Sequence, residues 1–336
     1  TAPTGKNYGI VGISTNNATE NATYGRYRYG NNKVNIENKD GIVEVDGELA
    51  VGIYAENVNQ RRAATYYDGS TDNTTAKKSN VTISYDNQNA VSADAIKVNY
   101  GAGVTGGTTA TQENKALRGV GIALVETDKD SNAAYRGGII NLNTKNNGIG
   151  QTADILTFEN GIGVYGESAK INFKGDSTGL TVDTGSDGAG IWATDDSIIS
   201  SASDRLGTAK TLNYNYKGYN DKKGFGMIFG STLTSNKVAR NYLDIKFNNN
   251  DGTMDLATAK ALENQGFAGI AAGPTYKGIA GILVNTNDAN DTVTNRGNIE
   301  EDSSSKTNVR AYGAVVNKGT FVNFGKIKLN DSLDAQ

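Results

Sequence analysis

Gly161-Ile162-Gly163-Val164-Tyr165-Gly166-Glu167-Ser168 is one of eight versions of the same short phrase. The other versions are Gly9-Ile10-Val11-Gly12-Ile13-Ser14, Ala50-Val51-Gly52-Ile53-Tyr54-Ala55, Gly119-Val120-Gly121-Ile122-Ala123-Leu124 and Gly188-Ala189-Gly190-Ile191-Trp192-Ala193. Three more follow, Gly224-Phe225-Gly226-Met227-Ile228-Phe229, Ile279-Ala280-Gly281-Ile282-Leu283-Val284 and Ala311-Tyr312-Gly313-Ala314-Val315-Val316. Recurrence of this kind marks a stacked repeat fold, in which one unit cannot bury its apolar face until a neighbour covers it.

Side chains of a strand alternate between two faces. On simple alternation Ile162 and Val164 share one face, as do Val120, Ile122 and Leu124, and Phe225, Met227 and Phe229. That apolar face is expected inside. The central glycine is expected outside, beside Tyr54, Tyr165, Trp192, Ile228 or Leu283. Each copy then turns polar, at Glu56-Asn57, Glu126-Thr127, Glu167-Ser168, Asn285 and Asn317, where stacked asparagines can form side-chain ladders.

A second alternating run follows each copy: residues 33–37, 81–85, 139–142, 170–174, 197–199, 243–247, 292–299 and 320–324. A third run often precedes the next copy, at 42–45, 95–98, 155–158, 180–182 and 212–214. Three short strands per turn, repeated eight times, predict an all-β chain folded as a right-handed parallel β-helix, the hand following the crossover rule. At about 4.8 Å per coil the rod would be roughly 38 Å long.

Central glycines are spaced irregularly, from 27 residues between Gly163 and Gly190 to 69 between Gly52 and Gly121. The shortest spacing approximates a bare coil, so the excess is inserted loop. Insertions are expected at 14–32, 57–79, 127–137, 231–241 and 285–292, with others at 86–118 and 248–277. The corner should be tight in the coils of Gly163, Gly190 and Gly313. Segment 248–277 carries the one predicted helix, capped by Asp255 and Gly266, with Leu256 and Leu262 expected to dock on the coil surface. The chain opens Thr1-Ala2-Pro3 without Met, and neither end coil has a capping segment. A single β-helix segment of a longer chain is therefore expected over 1–336.

Composition removes several function classes. Net charge is −3, which offers no basic excess to hold nucleic acid or an anionic membrane. No apolar run approaches the roughly 20 residues of a membrane helix. With no Cys and no His, disulfide frameworks, thiolate sites and the commonest general base are all missing. A chain without Cys suits a passenger that crosses an outer membrane unfolded. Asn248 to Asp255 fails the calcium-loop pattern, since a turn at Gly252 puts Phe247 and Thr258 at the first and last ligand positions. No metal or cofactor is assigned.

Two constellations remain. Glu56, Glu126, Glu167 and Asp195 each fall four or five residues after a central glycine, so stacking could pair carboxylates as a polysaccharide depolymerase or lyase requires; a solvated strand end is the alternative. The loops are richer in signal. The first carries Tyr24, Arg26, Tyr27, Arg28 and Tyr29, and the second carries Arg61, Arg62, Tyr66 and Tyr67. Stacking makes these loops neighbours on one edge. Tyr and Arg anchor interfaces through rigid area and forked donors, and aromatic faces stack on sugar rings. Tyrosines also pack their own long loops, and both readings stay open. Tyr214, Tyr216 and Tyr219 form a secondary cluster with the same two readings.

The Gly-Ile-Gly-Val-Tyr and Gly-Ala-Gly-Ile-Trp strands, Asn-, Lys- and Thr-rich corners and absence of Cys and His resemble the passengers of the very large fusobacterial type V autotransporter adhesins. The resemblance covers all eight coils and rests on the style of the repeat. It implies a monomeric β-helical stalk on the bacterial surface, anchored by a C-terminal β-barrel outside these residues. It also implies non-catalytic adhesion to host receptors, host glycans or other bacteria. A β-helical depolymerase and a non-binding spacer are the alternatives.

Overall fold

The computed structural model of the chain describes residues 6–16, 18–21, 26–29, 33–46, 49–59, 80–88, 96–98, 118–126, 138–145, 153–157, 161–174, 177–195, 197–201, 210–217, 223–231, 238–249, 278–303 and 311–330. Their strands form three parallel sheets of eight. The first sheet holds all eight glycine-centred phrases, in the strands Lys6–Asn16, Leu49–Asn59, Arg118–Glu126, Ile162–Glu167, Gly188–Thr194, Lys223–Gly230, Gly278–Asn285 and Ala311–Lys318. The second holds Lys33–Lys39, Asn80–Asn87, Ile139–Thr144, Lys170–Phe173, Ile198–Ser201, Val238–Asn241, Thr292–Asn295 and Thr320–Asn323. The third holds Val43–Val45, Ile96–Val98, Ile155–Leu156, Gly179–Thr184, Thr211–Tyr216, Asp244–Asn249, Ile299–Glu301 and Ile327–Lys328. The chain visits the sheets in that order on every turn. The fold is a parallel β-helix of eight three-strand coils.

Two strands fall on different sheets from those the sequence suggested. Leu243 to Phe247 lies in the third sheet, and the second-sheet strand of that coil is Val238–Asn241. The latter has no apolar signature, because buried Ala239 is flanked by exposed Val238 and Arg240. The run from Thr292 to Ile299 is two strands broken by a turn at 296–298. The expected insertion 14–32 contains the end of the first strand and an antiparallel pair, Ala18–Asn21 with Arg26–Tyr29. The helix predicted over 256–265 lies outside the described residues.

The first sheet also departs from simple alternation. From the second coil on, its ladder passes over the central glycine: Ile162 pairs with Ala189 and Val164 with Ile191, while Gly163 and Gly190 form no pair. A methyl placed on Gly163 would lie 2.5 Å from the Gly190 carbonyl oxygen and 2.6 Å from Val182 Cγ1 in the third sheet. The strand bends there, so the glycine and the residue after it both face inward. Ile53, Ile122, Val164, Ile191, Met227 and Ile282 are fully buried in the core column. The residue before the glycine faces outward instead. Ala189, Phe225 and Ala280 join Ile228 and Leu283 in a separate apolar cluster. The inward face expected after the glycine is correct, and the outward glycine is not. In the first coil Gly9, not Gly12, takes the bend.

Apolar side chains fill the interior: Ile83, Leu142, Ile171 and Phe173 from the second sheet, Ile96, Leu180, Val182, Leu212 and Phe247 from the third. Each such burial contributes roughly 1.5–3 kcal/mol. Tight corners use single left-handed residues, Ser168 at φ 47° and Asp195 at φ 60°, with Gly319 at φ 116° in the last coil. Asparagines form ladders at two corners. Asn317 Nδ2 donates to Asn285 Oδ1 at 2.7 Å beside the first sheet, as the polar ends of the phrases suggested. Between the second and third sheets, Asn241 donates to Asn295 and Asn295 to Asn323, both at 2.8 Å. Asn241 and Asn295 each also donate to a carbonyl of their own turn, Leu243 O and Gly297 O.

One carboxyl is locked inside. Asp154 is fully buried, accepts from the Thr181 amide at 2.9 Å and from Asn87 Nδ2 at 3.1 Å, and its carbonyl accepts from the Tyr85 hydroxyl at 3.0 Å. Desolvation outweighs these bonds and pushes its pKa up to about 8.

Candidate functional site

The outer faces of the sheets differ in chemistry. The third carries ion pairs between coils: Glu44 with Lys97 at 2.7 Å, Glu300 with Lys328 at 3.0 Å, and Asp183 with Lys217. The second carries amide and carboxylate contacts, among them Asn172 with Asn141 at 3.3 Å and Asn143 with Asp86 at 2.9 Å. The first is apolar and aromatic. Its register aligns Val11, Tyr54, Ala123, Tyr165, Trp192, Ile228, Leu283 and Val315 in one column along the stack.

Two aromatic pairs hold the near end of this column. Tyr8 and Tyr54 meet edge to face with centroids 5.1 Å apart, and Tyr165 meets Trp192 in the same way at 5.6 Å. Such contacts fix ring orientation and contribute about 0.5–1.5 kcal/mol beyond area burial. Each tyrosine of the column also donates to the glutamate two residues on, which strand alternation places on the same face. Tyr54 reaches Glu56 Oε2 at 3.1 Å and Tyr165 reaches Glu167 Oε1 at 2.6 Å. Burial, and then these carboxylates, push both phenol pKa values well above the ordinary tyrosine range, so the hydroxyls stay protonated donors. The Trp192 indole Nε1–H is buried with no acceptor among the described residues, beside the side-chain-free Gly230.

The four expected carboxylates occupy two columns. Glu56 and Glu167 share one, with Val125 of the intervening coil between them. Glu126 and Asp195 stand one residue further along their strands, also two coils apart. Two coils are roughly 9.6 Å, beyond the ~5–5.5 Å of a retaining glycosidase pair and at the upper end of the inverting range. Asp195 is buried at its left-handed corner, where Thr194 Oγ1 donates to it at 3.1 Å. Among the described residues no group of three or more His, Cys, Asp or Glu is placed to hold a metal ion.

Of the residues singled out for binding, Tyr24, Arg61, Arg62, Tyr66, Tyr67 and Tyr219 lie outside the described residues. Arg26, Tyr27, Arg28 and Tyr29 form the second strand of the antiparallel pair in the first loop. The two loops leave and re-enter the stack side by side: Asn16 pairs with Asn59 at the exit, and Lys33 with Asn80 on return. Tyr214 and Tyr216 are corrected from ligand contacts to core residues, both fully buried. The Tyr214 hydroxyl donates to Gly188 O at 3.0 Å, accepts from the Phe225 amide at 3.2 Å and meets Thr184 Oγ1 at 2.8 Å. Their alternation with Asn213 and Asn215 in Leu-Asn-Tyr-Asn-Tyr already carried that signal. The Tyr-x-Glu pairing was missed, though both units stand inside the repeated phrase.

No protein-family model, no curated protein and no solved structure matches this chain. No helix among the described residues is long and apolar enough to cross a membrane.

Proposed function

We propose that this chain is the binding segment of a bacterial cell-surface adhesin of the autotransporter type, a β-helical rod that carries adhesive loops on one corner. The observation that supports this most is the register at that corner. The loops 17–32 and 60–79 start from paired Asn16 and Asn59 and end at paired Lys33 and Asn80, so their Tyr- and Arg-rich segments emerge from adjacent coils. The partner is a host glycoprotein or glycan, or the surface of another bacterium. The chain acts as a non-catalytic, monomeric extracellular passenger, anchored through a barrel outside these residues.

The test is a cell-binding and glycan-array assay on the isolated chain, with Tyr27→Ala combined with Tyr67→Ala. Weakened binding with unchanged circular dichroism is expected. Full binding by the double variant removes the corner patch, and no binding by the parent chain leaves a spacer. The depolymerase alternative predicts release of reducing sugar from polysaccharide, lost in Glu167→Gln.

A further inference from the structure

The aromatic column of the first sheet is a different surface from the corner loops, and its chemistry is specific. We propose that the outer face of this sheet, from Tyr8 on the first coil to Trp192 on the fifth, binds a neutral oligosaccharide laid along the stack axis.

The repeat of the side chains carries the inference. A Tyr-x-Glu unit places a ring beside a fixed carboxylate acceptor, the pairing a pyranose needs: apolar C–H groups on the ring face and hydroxyls at the edge. The unit occurs on the second and fourth coils, with only the buried methyl of Ala123 between Tyr54 and Tyr165. The two units are therefore roughly 9.6 Å apart along the axis, a distance spanned by a few linked sugars. Tyr54, Tyr165 and Trp192 are half-buried, so part of each ring remains reachable. Their edge-to-face contacts at 5.1 and 5.6 Å hold the rings before any ligand arrives, which lowers the ordering cost of binding. The tyrosine hydroxyls orient Glu56 and Glu167; Glu167 is buried and Glu56 half-buried, so Glu56 is the carboxylate that reaches sugar hydroxyls in charge-assisted bonds. The Trp192 Nε1–H is buried with no acceptor among the described residues, so the half-buried indole ring, not its N–H, is what this residue offers a ligand. Among the described residues, the outer faces of the other two sheets carry ion pairs and amide contacts.

Charge sets the sugar class. Glu56 and Glu167 flank the rings, and a uronic or sialic carboxylate would be driven against them at short range with part of its hydration removed. Neutral hexoses meet no such penalty.

Trp192 is the only tryptophan of the chain, so its emission reports on this column directly. The whole chain is titrated with neutral β-linked gluco- and galacto-oligosaccharides of increasing length, and with oligouronates of matched length. A saturable change in emission with neutral oligomers is expected, with affinity rising until the oligomer spans both tyrosines. Oligouronates are expected to bind at least about tenfold more weakly. Tyr165→Ala and Tyr54→Ala should each weaken binding about tenfold or more, and Tyr165→Phe, which keeps the ring, should weaken it less. Silent emission with every neutral oligomer, in wild-type chain whose circular dichroism shows it folded, overturns the proposal; so does equal binding of oligouronates. Loss of cell binding in the Tyr27 and Tyr67 double variant with silent Trp192 emission would leave the adhesin standing and remove the column alone.

Discussion

Gly163→Ala pits two effects of opposite sign against each other. Replacing glycine by alanine in a compatible strand position stabilises by about 0.4–1 kcal/mol, because the unfolded chain loses freedom. At Gly163 the new methyl would stand 2.5 Å from the Gly190 carbonyl oxygen and 2.6 Å from Val182 Cγ1. Val182 is fully buried, and the carbonyl belongs to the backbone of the next coil, so neither can rotate away. Overpacking of this kind costs about 1–3 kcal/mol, and the backbone contact puts it at the upper end. The net expectation is destabilisation by about 1–3 kcal/mol. Gly313→Ala is the internal control. The three atoms nearest its methyl all belong to the side chain of Ile327, which is 41% exposed and can shift toward solvent, so the change should cost less than Gly163→Ala, about 1 kcal/mol. Urea unfolding followed by far-UV circular dichroism measures both. Stability of Gly163→Ala equal to or above wild type would refute the inward bend.

Three further outcomes follow from buried polar groups. Asp154 has a folded pKa of about 8 against about 3.9 in an unfolded chain, so the native state holds the proton more tightly. Its contribution is fully present below about pH 4 and is lost as pH rises to about 8, at up to about 1.4 kcal/mol per pH unit. Asp154→Asn should flatten that part of a stability profile measured by urea melts from pH 4 to pH 9, and an unchanged slope would contradict the assignment. Asn295→Ala removes a rung from the middle of an asparagine ladder and strips Asn241 and Asn323 of a partner each. A loss of about 1–3 kcal/mol is expected in thermal unfolding, against near-neutrality for Asn317→Ala, whose bond to Asn285 is exposed. Tyr214→Phe keeps the ring but leaves the Phe225 amide without its bond to the hydroxyl, and should cost about 1–3 kcal/mol with faster amide hydrogen exchange at Phe225.

The solenoid was legible because its signal is repeated eight times, so errors in one copy are outvoted by the rest. Simple alternation within a copy holds only for a straight strand. Nothing in Gly161-Ile162-Gly163-Val164 announces a bend, since the constraint comes from the neighbouring coil's carbonyl and from Val182, which is 19 residues further on. The strand Val238–Asn241 was hidden because Ala239 alone is buried. Tyr214 and Tyr216 resemble the loop tyrosines in residue type alone, whereas the alternation of Leu212, Tyr214 and Tyr216 matches an inward face. The Tyr-x-Glu units were visible in the repeat as strand residues, yet only the register, which aligns Tyr54 with Ala123 and Ala123 with Tyr165, turns them into one column. The Asp154 lock joins Tyr85 and Asn87 of one strand to Thr181 of another and had no local signature.

The adhesion proposed for the corner loops requires them to leave neighbouring coils at the same place. The chain contains no cysteine, so an introduced pair of thiols has no competitor. Asn16→Cys with Asn59→Cys puts them on paired residues of adjacent coils, within the Cα separation a disulfide tolerates. Asn16→Cys with Asn285→Cys puts them at the same corner several coils apart. Mild oxidation should close an intramolecular bond in the first protein and leave both thiols free in the second. Free thiols in the first, or a bond in the second, would contradict the stacking on which the proposed adhesive corner rests.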